Sequence, residues 1–395
     1  MPAADSALIA RCRGAALELL RANTGADGIL AATPSRRAQQ KQYHAVFARD
    51  AGLCALAMVR SGDRLLVDGA RDGLTLIARH QADNGQMPKF VLPAKADADF
   101  WYVGCIDATL WWLIALKAYA REFPGEALER RLGAEAGRAI QWLQCQEHPR
   151  LALLAQNEAS DWADIMPRSG FVLYTNALWY HVKRLYRLPG AARTRHHFNH
   201  LFFPFGGELP EYRRLRLLGH YVRNRAKVRN VYLSFVNFSF WGEEGDVLGN
   251  LLAILTGLAG GARGRAILRA LRAAKVDEPW PARTVVTPIA DDSPLWRAYM
   301  ERHRQNLAWQ YHNGGAWPMV GGFWVMALAA MGEHAAARAA LVRLAEANAV
   351  NGFEFNEWFH GRSGAPMGMP GQSWSAAAFL LADAALGNRT AAGDL

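Results

Sequence analysis

Polar and aromatic residues occur together at several predicted helix starts and turns. WQYHNGGAWP (309–318) holds a histidine, an asparagine, two glycines and two tryptophans. A similar mixture occurs in five other stretches: YHAVFARDAG (43–52), DNGQMPKF (83–90), DFWYVGCIDATLWW (99–112), NEASDWADIMPRSG (157–170) and GFEFNEWFHGR (352–362). An aromatic ring can stack on the apolar face of a sugar, while carboxylates and amides can bond its hydroxyls. The six stretches therefore indicate a carbohydrate site.

Four carboxylates in these stretches could perform acid–base chemistry: Asp161, Asp164, Glu354 and Glu357. Hydrolysis of a glycoside needs two carboxyl groups on opposite sides of the scissile bond, one protonated and one ionised. Asp164 stands between an alanine and an isoleucine, and apolar neighbours favour the protonated form that an acid needs. The residues alone do not separate Asp164 from Asp161.

The elements that must position these residues are helices. ATLWWLIALKAYARE (from Ala108) and DVLGNLLAILTGLA (from Asp246) have apolar residues at a 3.6-residue period. Similar segments begin near residues 6, 45, 66, 133, 171, 262, 294, 318, 334 and 371, which makes about twelve helices. Since no proline-rich or serine-rich linker divides the chain, we predict a single all-α domain over residues 1–395, closed into a toroid.

One segment departs from this pattern in charge and in predicted structure. Between Lys183 and Arg229 there are twelve Lys or Arg residues against two acids, and the excess of ten equals the net charge of the whole chain. Residues 219–240 are rich in β-forming residues, so we expect a basic insertion with a small β-hairpin at about 188–240. A local charge run favours a solvated surface or a subunit contact over nucleic-acid binding, and it leaves a homo-oligomer open.

The amino-acid composition limits the classes of protein to which the chain can belong. Hydrophobic residues at 51% and charged residues at 20% are typical of a globular chain with a large core. The first twenty residues lack the pattern of a secretory signal, and no apolar run approaches the length of a membrane span, so we expect a cytoplasmic protein. The four cysteines have no CxxC spacing, and neither a metal nor a cofactor is predicted.

The order of several motifs resembles that of the neutral/alkaline invertases, over roughly residues 43 to 385. The motifs are YHAVFARD, ADFWYVGCIDATLWWLIALKAYA, LGNLLAILTGLA, YHNGGAWP, FNEWFHGR and GQSWSAAAFLLA. The resemblance implies an (α/α)6 barrel that hydrolyses sucrose with inversion, using one aspartate as acid and one glutamate as base.

The same resemblance implies the roles of individual residues. Trp162 and Asp164 match the tryptophan–x–aspartate pattern of related debranching-type glucosidases, which makes Asp164 the acid. NEWF stands where the family has its proline–glutamate–tyrosine–tyrosine motif, which makes Glu357 the base. Further contacts to the sugar are implied for Tyr43, Arg49, Asp50, Asp107, Trp162, His312, Asn313, Trp317 and Gln372. In YHNGG, the glycines are expected to let the backbone approach the sugar, and Trp317 with Pro318 to begin a helix.

Two departures from the family concern the leaving-group side. Asp164 is followed by IMPR where the family has two arginines and a methionine, which leaves Arg168 alone. The basic segment also matches the family's corresponding region poorly. The leaving group, the chain length of the substrate and its phosphorylation therefore stay open.

We predict an inverting glycoside hydrolase, invertase-like, that acts on sucrose or a similar small α-glucoside. Three alternatives remain: a debranching-type α-1,6-glucosidase, a sugar epimerase or isomerase using His312 and His360 on the same barrel, and a non-catalytic carbohydrate or polyanion binder.

Overall fold

Helices dominate the part of the chain that the computed structural model describes, which is residues 3–101, 104–206, 212–238 and 240–387. The helices of these ranges are α1 (Ala3–Asn23), α2 (Arg36–Gln40), α3 (Ala48–Met58), α4 (Arg64–Arg79), α5 (Ile106–Glu122), α6 (Leu128–Arg131), α7 (Gly133–Gln146), α8 (Leu173–Leu185), α9 (Ala191–Phe202), α10 (Arg213–Arg225), α11 (Val247–Leu255), α12 (Gly261–Ala273), α13 (Ala298–Glu301), α14 (Pro318–Ala330), α15 (His334–Phe353) and α16 (Ser373–Gly387). The strands are β1 (Thr24–Gly25), β2 (Gly28–Ile29), β3 (Val46–Phe47), β4 (Phe90–Leu92), β5 (Asp97–Asp99), β6 (Ala155–Gln156), β7 (Gly170–Val172), β8 (Phe235–Val236), β9 (Trp358–Phe359) and β10 (Pro366–Met367). None of these described helices is both long and apolar enough to cross a membrane.

Six of the helices close into a ring. α3 packs on α5, α5 on α8, α8 on α11, α11 on α14, α14 on α16, and α16 returns to α3. A second layer surrounds them, with α1 against α16, α4 against α3, α7 against α5, α9 against α8, α12 against α11 and α15 against α14. The expected all-α fold of twelve helices in a double ring, an (α/α)6 barrel, is confirmed.

The two layers differ in sequence as their positions require. All eleven residues of α3 are buried, because an inner helix has neighbours on every side. The outer α4 buries one face only, with Leu66, Ala70 and Leu74 inward and charged residues outward. The carboxylate of Asp63 caps the start of α4 by accepting hydrogen bonds from the Leu65 and Leu66 backbone N–H groups, at 2.9 and 3.3 Å.

Short antiparallel sheets lie where inner helices begin. β3, β4 and β5 form one sheet, in which Val46 pairs with Val91 and Phe90 with Asp99. β6, β7 and β8 form another, and β9 pairs with β10. Since β3 leads directly into α3 and β7 into α8, these sheets brace the loops at the N-terminal ends of the inner helices.

The segment expected to carry a hairpin is largely helical. α9 and α10 occupy most of residues 191–225, and α9 fills an outer position of the barrel. The chain turns back at 234–242, where the Ser234 N–H donates to the Gly242 carbonyl and the Gly242 N–H donates to the Phe235 carbonyl. β8 of this turn joins β7, so the hairpin is shorter than the sequence indicated. Residues 207–211 and 239 lie outside the described ranges.

The structure also corrects one helix. The segment expected near residue 294 contains only α13, which has four residues. The twelfth barrel helix is instead α9, whose buried residues are Thr194, Phe198, Leu201 and Phe202. These four positions follow a helical period, but histidines and arginines fill the positions between them and mask the pattern.

Two glycines on helices give opposite predictions for stability. A Cβ on Gly322 of α14 would lie 2.5 Å from the backbone oxygen of Ala378 in α16, whereas a Cβ on the exposed Gly14 of α1 would meet no atom within 4 Å. We expect Gly322→Ala to lower the free energy of unfolding by about 1–3 kcal/mol through overpacking. Gly14→Ala should raise it by up to about 1 kcal/mol. Urea unfolding of both variants tests this, and equal effects would contradict the close packing of α14 on α16.

Candidate active site

A small cavity of about 200 Å³ lies where the loops before the inner helices converge. Eight of the eleven site residues expected from the sequence line it: Tyr43, Arg49, Asp50, Trp162, Asp164, His312, Trp317 and Glu357. Residues from widely separated parts of the chain thus meet at one place, as a barrel of this kind allows.

Glu357 is held firmly by two hydrogen bonds. Its Oε1 accepts from the Tyr43 hydroxyl at 2.5 Å, and its Oε2 accepts from the Met369 N–H at 2.9 Å. Burial raises the pKa of Glu357 above its usual value, while both hydrogen bonds act in the opposite direction. The bonds fix the carboxylate's orientation and favour its charged form, which suits a general base.

Asp164 has a more open environment. Its side chain is 26% exposed, and its Oδ1 lies 3.4 Å from Nζ of Lys89. The carboxyl group therefore faces a cation, and not the apolar side chains that flank it in the sequence.

The other candidate acid, Asp161, does not line the cavity. Its Oδ1 accepts from the Ala163 N–H at 2.8 Å and its Oδ2 accepts from the Gln156 side chain at 2.9 Å. Burial raises the pKa of Asp161 to about 6. Because both oxygens are engaged in shaping the turn before Asp164, Asp161 has the geometry of a structural residue.

Arg49 and Asp50, at the start of α3, form part of a buried polar network. Arg49 Nη1 lies 3.3 Å from Oδ2 of Asp107, and that oxygen also accepts from the Tyr174 hydroxyl at 2.9 Å. Asp107 is completely buried behind Arg49 and does not reach the cavity. Burial raises the pKa of Asp50 to about 6, and its Oδ2 has no hydrogen-bond partner in the described part of the chain. Arg49 and Asp50 therefore present polar atoms to the cavity, while Asp107 holds Arg49 in place.

One wall of the cavity is aromatic. The ring of His312 stacks on Trp317 with centroids 5.0 Å apart and planes 9° apart, and it meets the ring of Trp162 edge-on at 4.8 Å. Burial, together with nearby cations, lowers the pKa of His312 well below its usual value, so the imidazole is neutral. Neither ring nitrogen has a partner within the described ranges. The neutral imidazole, held between two indoles, gives this wall an apolar surface with unused hydrogen-bonding capacity.

Two other expected contact residues do not line the cavity. The Asn313 side chain bonds the backbone of Ile289 and Asn306, so it ties three loop segments together. Gln372 is fully buried just before α16. The glycines after Asn313 also differ from expectation: a Cβ on Gly315 would lie 2.6 Å from the Tyr311 carbonyl oxygen, so this glycine permits a tight turn against protein atoms.

Arg168, which follows the candidate acid in sequence, lies away from the cavity. Its guanidinium group pairs with Glu244 and Asp246, at 3.2 Å each, and all three side chains are buried. The ion triad joins the loop before α8 to the loop before α11, so Arg168 serves the framework of the site.

The sequence reasoning missed several lining residues: Lys41, Phe47, Lys89, Phe90, Trp101, Tyr311 and Trp374. Lys89 belongs to DNGQMPKF and Trp101 to DFWYVGCIDATLWW, so the sequence points to both stretches but not to these residues. The pairing of β4 with β5 brings residues 89 and 101 to the same edge of the cavity. A prediction of that pairing would therefore have indicated both residues.

Part of the chain is similar in sequence to a known family. Residues 227–388 match the family model described as alkaline and neutral invertase. "Probable alkaline/neutral invertase D" of Arabidopsis thaliana is 32% identical over 145 residues, which are 34% of this chain and 26% of that protein. "Cytosolic invertase 1" of Oryza sativa subsp. japonica is 30% identical over 145 residues, 34% of this chain and 24% of that protein. The matched part thus spans about a quarter of each of these relatives.

Solved structures resemble almost the whole chain in fold. The GH63 mannosylglycerate hydrolase from Thermus thermophilus, in complex with Tris and D-glycerate, has a TM-score of 0.63 at 14% identity, covering 93% of this chain and 99% of that one. The Hormoconis resinae glucoamylase has a TM-score of 0.63 at 12% identity, covering 97% and 74%. On these matches, residues 227–388 are similar to the alkaline and neutral invertases, within a chain that has the (α/α)6 barrel fold.

Proposed function

We propose that this chain is an inverting glycoside hydrolase that cleaves the α-glucosidic bond of sucrose or a similarly small α-glucoside. Asp164 acts as the general acid and Glu357 as the general base. The observation that carries the proposal is that these two carboxyl groups line one small cavity in contrasting environments. Glu357 is enclosed and bonded by two donors, whereas Asp164 is partly exposed at the same cavity.

The proposed reaction follows from these environments. Asp164 donates a proton to the glycosidic oxygen as the bond to the anomeric carbon breaks. Glu357 removes a proton from a water that attacks the same carbon from the opposite face. Room for that water requires the two carboxyl groups to stand about 6.5–9.5 Å apart. The product is the β-anomer of glucose.

The size and lining of the cavity favour a small substrate. A volume of about 200 Å³ is below the ~300–1,000 Å³ typical of small-molecule sites, so the cavity encloses little more than one sugar ring. His312, Trp317 and Trp162 supply the apolar wall, while Arg49 and Asp50 supply polar atoms for hydroxyls. Such a lining suits one sugar ring with a compact leaving group.

The isomerase alternative uses His312 and His360 for proton transfer, and only one of these two histidines lines the cavity. His312 lines the cavity, but His360 does not. Nδ1 of His360 lies 3.3 Å from the Arg362 nitrogen and 3.2 Å from the Ser363 nitrogen, accepting from both within its own turn. A hydrolase that uses Asp164 and Glu357 accounts for more of the cavity than this alternative does.

A substrate panel tests the proposal. The purified chain is incubated with sucrose, with other small α-glucosides and with α-1,6-branched dextrins, and the released sugars are separated and identified. We expect glucose and fructose from sucrose, or glucose from another small α-glucoside. Activity on branched dextrins alone would select the debranching reaction, and a changed sugar without a second product would select an isomerase.

Tyr43→Phe gives a prediction for pH dependence. The Tyr43 hydroxyl lowers the pKa of Glu357, so its removal should raise that pKa further. Because the base must be ionised, kcat/KM falls as the pH decreases through this pKa. The acid limb of the pH profile should therefore move to higher pH in the variant, with a loss of about tenfold at neutral pH.

The matched control for this prediction is Tyr311→Phe, which removes another phenol from the cavity. No hydrogen bond joins Tyr311 to Glu357 in the described residues, so the acid limb should keep its position. If the acid limb of the pH profile moved equally in both variants, or in neither, the result would contradict the role of the Tyr43–Glu357 hydrogen bond.

A further inference from the structure

Lys89 places a buried ammonium group beside the proposed acid. Its Nζ lies 3.4 Å from Oδ1 of Asp164 and 3.7 Å from the ring centroid of Trp101, and its side chain is 8% exposed. The backbone is fixed on both sides, because the Ala48 N–H donates to the Lys89 carbonyl at 3.0 Å and the Lys89 N–H donates to the Asp99 carbonyl at 2.7 Å. Lys89 is therefore built into the edge of the cavity by the β3–β4–β5 sheet.

The ion pair between Lys89 and Asp164 is weak for a buried cation. Within the described residues, Asp164 is the one carboxylate inside ion-pair distance of Nζ. At 3.4 Å the contact is longer than the ~2.7–2.9 Å of a strong charge-assisted hydrogen bond. An ammonium group has three donors, and burying it is costly unless they are used. The site therefore has capacity for a second anionic partner.

The position of Asp164 indicates on which side of the substrate the anionic partner of Lys89 would lie. A general acid must approach the glycosidic oxygen, so a cation next to it faces the atoms that this oxygen joins to the leaving group. The second cavity lysine lies elsewhere: the charge of Lys41 acts on Glu357, on the side of the base. Of the two lysines, Lys89 is the one that lies within ion-pair distance of Asp164.

We propose that the enzyme acts on α-glucosides whose leaving group carries an anion, a carboxylate or a phosphate, and that Lys89 binds this anion. Trp101 supports the ammonium from its other side. When the substrate's anion takes Lys89 as its partner, Oδ1 of Asp164 is released from the ammonium group, and the protonated carboxyl group donates to the glycosidic oxygen. This inference rests on the proposed hydrolase function and narrows its substrate class.

Two matched pairs of substrates test it. Each pair differs only by an anion on the leaving group: sucrose against sucrose phosphorylated on its fructosyl ring, and α-glucosylglycerol against α-glucosylglycerate. We expect kcat/KM to be about 10- to 100-fold higher for the anionic member of at least one pair, as for a hydrogen bond to a charged group. The pair that shows the preference identifies the anion as phosphate or carboxylate.

Variants then assign the preference to Lys89. Lys89→Met keeps the length of the side chain and should bring the ratio of the two kcat/KM values close to one. Lys89→Arg keeps the charge and should retain most of the ratio. Lys41→Met, the matched control at the same cavity, should leave the ratio as it is in the unaltered enzyme. Thermal unfolding checks that each variant is folded.

The outcomes separate this inference from the proposed function. Equal kcat/KM values within both pairs would overturn the anion preference while leaving the hydrolase intact. A preference that Lys89→Met does not change, or that Lys41→Met removes, would overturn the assignment to Lys89. Absence of hydrolysis of all four glucosides, together with all others in the panel, would overturn the proposed function itself.

Discussion

Asp164→Asn is expected to stop hydrolysis of ordinary α-glucosides but to spare α-glucosyl fluoride. Loss of a general acid costs about 10²- to 10⁴-fold in kcat when the leaving group needs a proton. Fluoride leaves without one, so its release should fall far less. Initial rates on the preferred glucoside and on the fluoride, measured with the same preparation, give the two losses directly.

Asp161→Asn is the control for this experiment, because Asp161 was the other candidate acid. Its carboxylate shapes the turn at Ala163 and does not line the cavity. The substitution should reduce both rates to a similar and much smaller extent. If Asp161→Asn, and not Asp164→Asn, were the variant that lost the glucoside while keeping the fluoride, the acid would have been assigned to the wrong residue.

Glu357→Gln is expected to lose both reactions. The base activates the water in either case, so a good leaving group does not compensate for its absence, and we expect a loss of about 10²- to 10⁴-fold on glucoside and fluoride alike. Glutamine keeps the size of the side chain and can still accept from the Tyr43 hydroxyl, which limits disturbance of the cavity. The same initial-rate measurements apply.

Glu354→Gln provides the matched control, three residues earlier in the chain. Glu354 accepts from the Asn351 side chain at 2.9 Å and does not line the cavity. Both rates should stay within about twofold of the unaltered enzyme, as for surface substitutions away from a site. A large loss in Glu354→Gln with little loss in Glu357→Gln would contradict the assignment of the base.

The barrel could be predicted from sequence because its inner helices are apolar over their whole length. Segments such as ATLWWLIALKAYARE combine helical periodicity with residues that can pack on every side. α9 escaped detection because an outer helix buries a single face, and His196, His197 and His200 interrupt its apolar positions. The apolar pattern thus fails for an outer helix whose few apolar positions are interrupted by basic residues.

The site could be predicted as a group of loops, but not residue by residue. Asn313 and His312 are adjacent in the chain, yet His312 faces the cavity while Asn313 bonds the backbone of Ile289 and Asn306. Which of two neighbouring side chains points inward depends on the turn conformation and on partners that are distant in sequence. Periodicity and composition contain no information about those partners.

Lys89 illustrates the same limit on the side of the leaving group. Its contacts are Asp164, 75 residues away, and Trp101, across the β4–β5 pairing. Neither contact has a signature in the sequence around residue 89. The stretch DNGQMPKF was recognisable as a polar turn, whereas its lysine acquires a chemical role only from the folded arrangement.

The anomeric form of the first product tests the central claim most directly. The enzyme is mixed with its preferred α-glucoside, and the anomeric protons of the released glucose are followed by NMR before mutarotation mixes the two forms. Inversion with Asp164 as acid and Glu357 as base predicts β-glucose at the earliest times, and neither Asp164→Asn nor Glu357→Gln should release it at a comparable rate. α-Glucose as the first product would show retention of configuration and would contradict the assignment of Glu357 as a base acting through water.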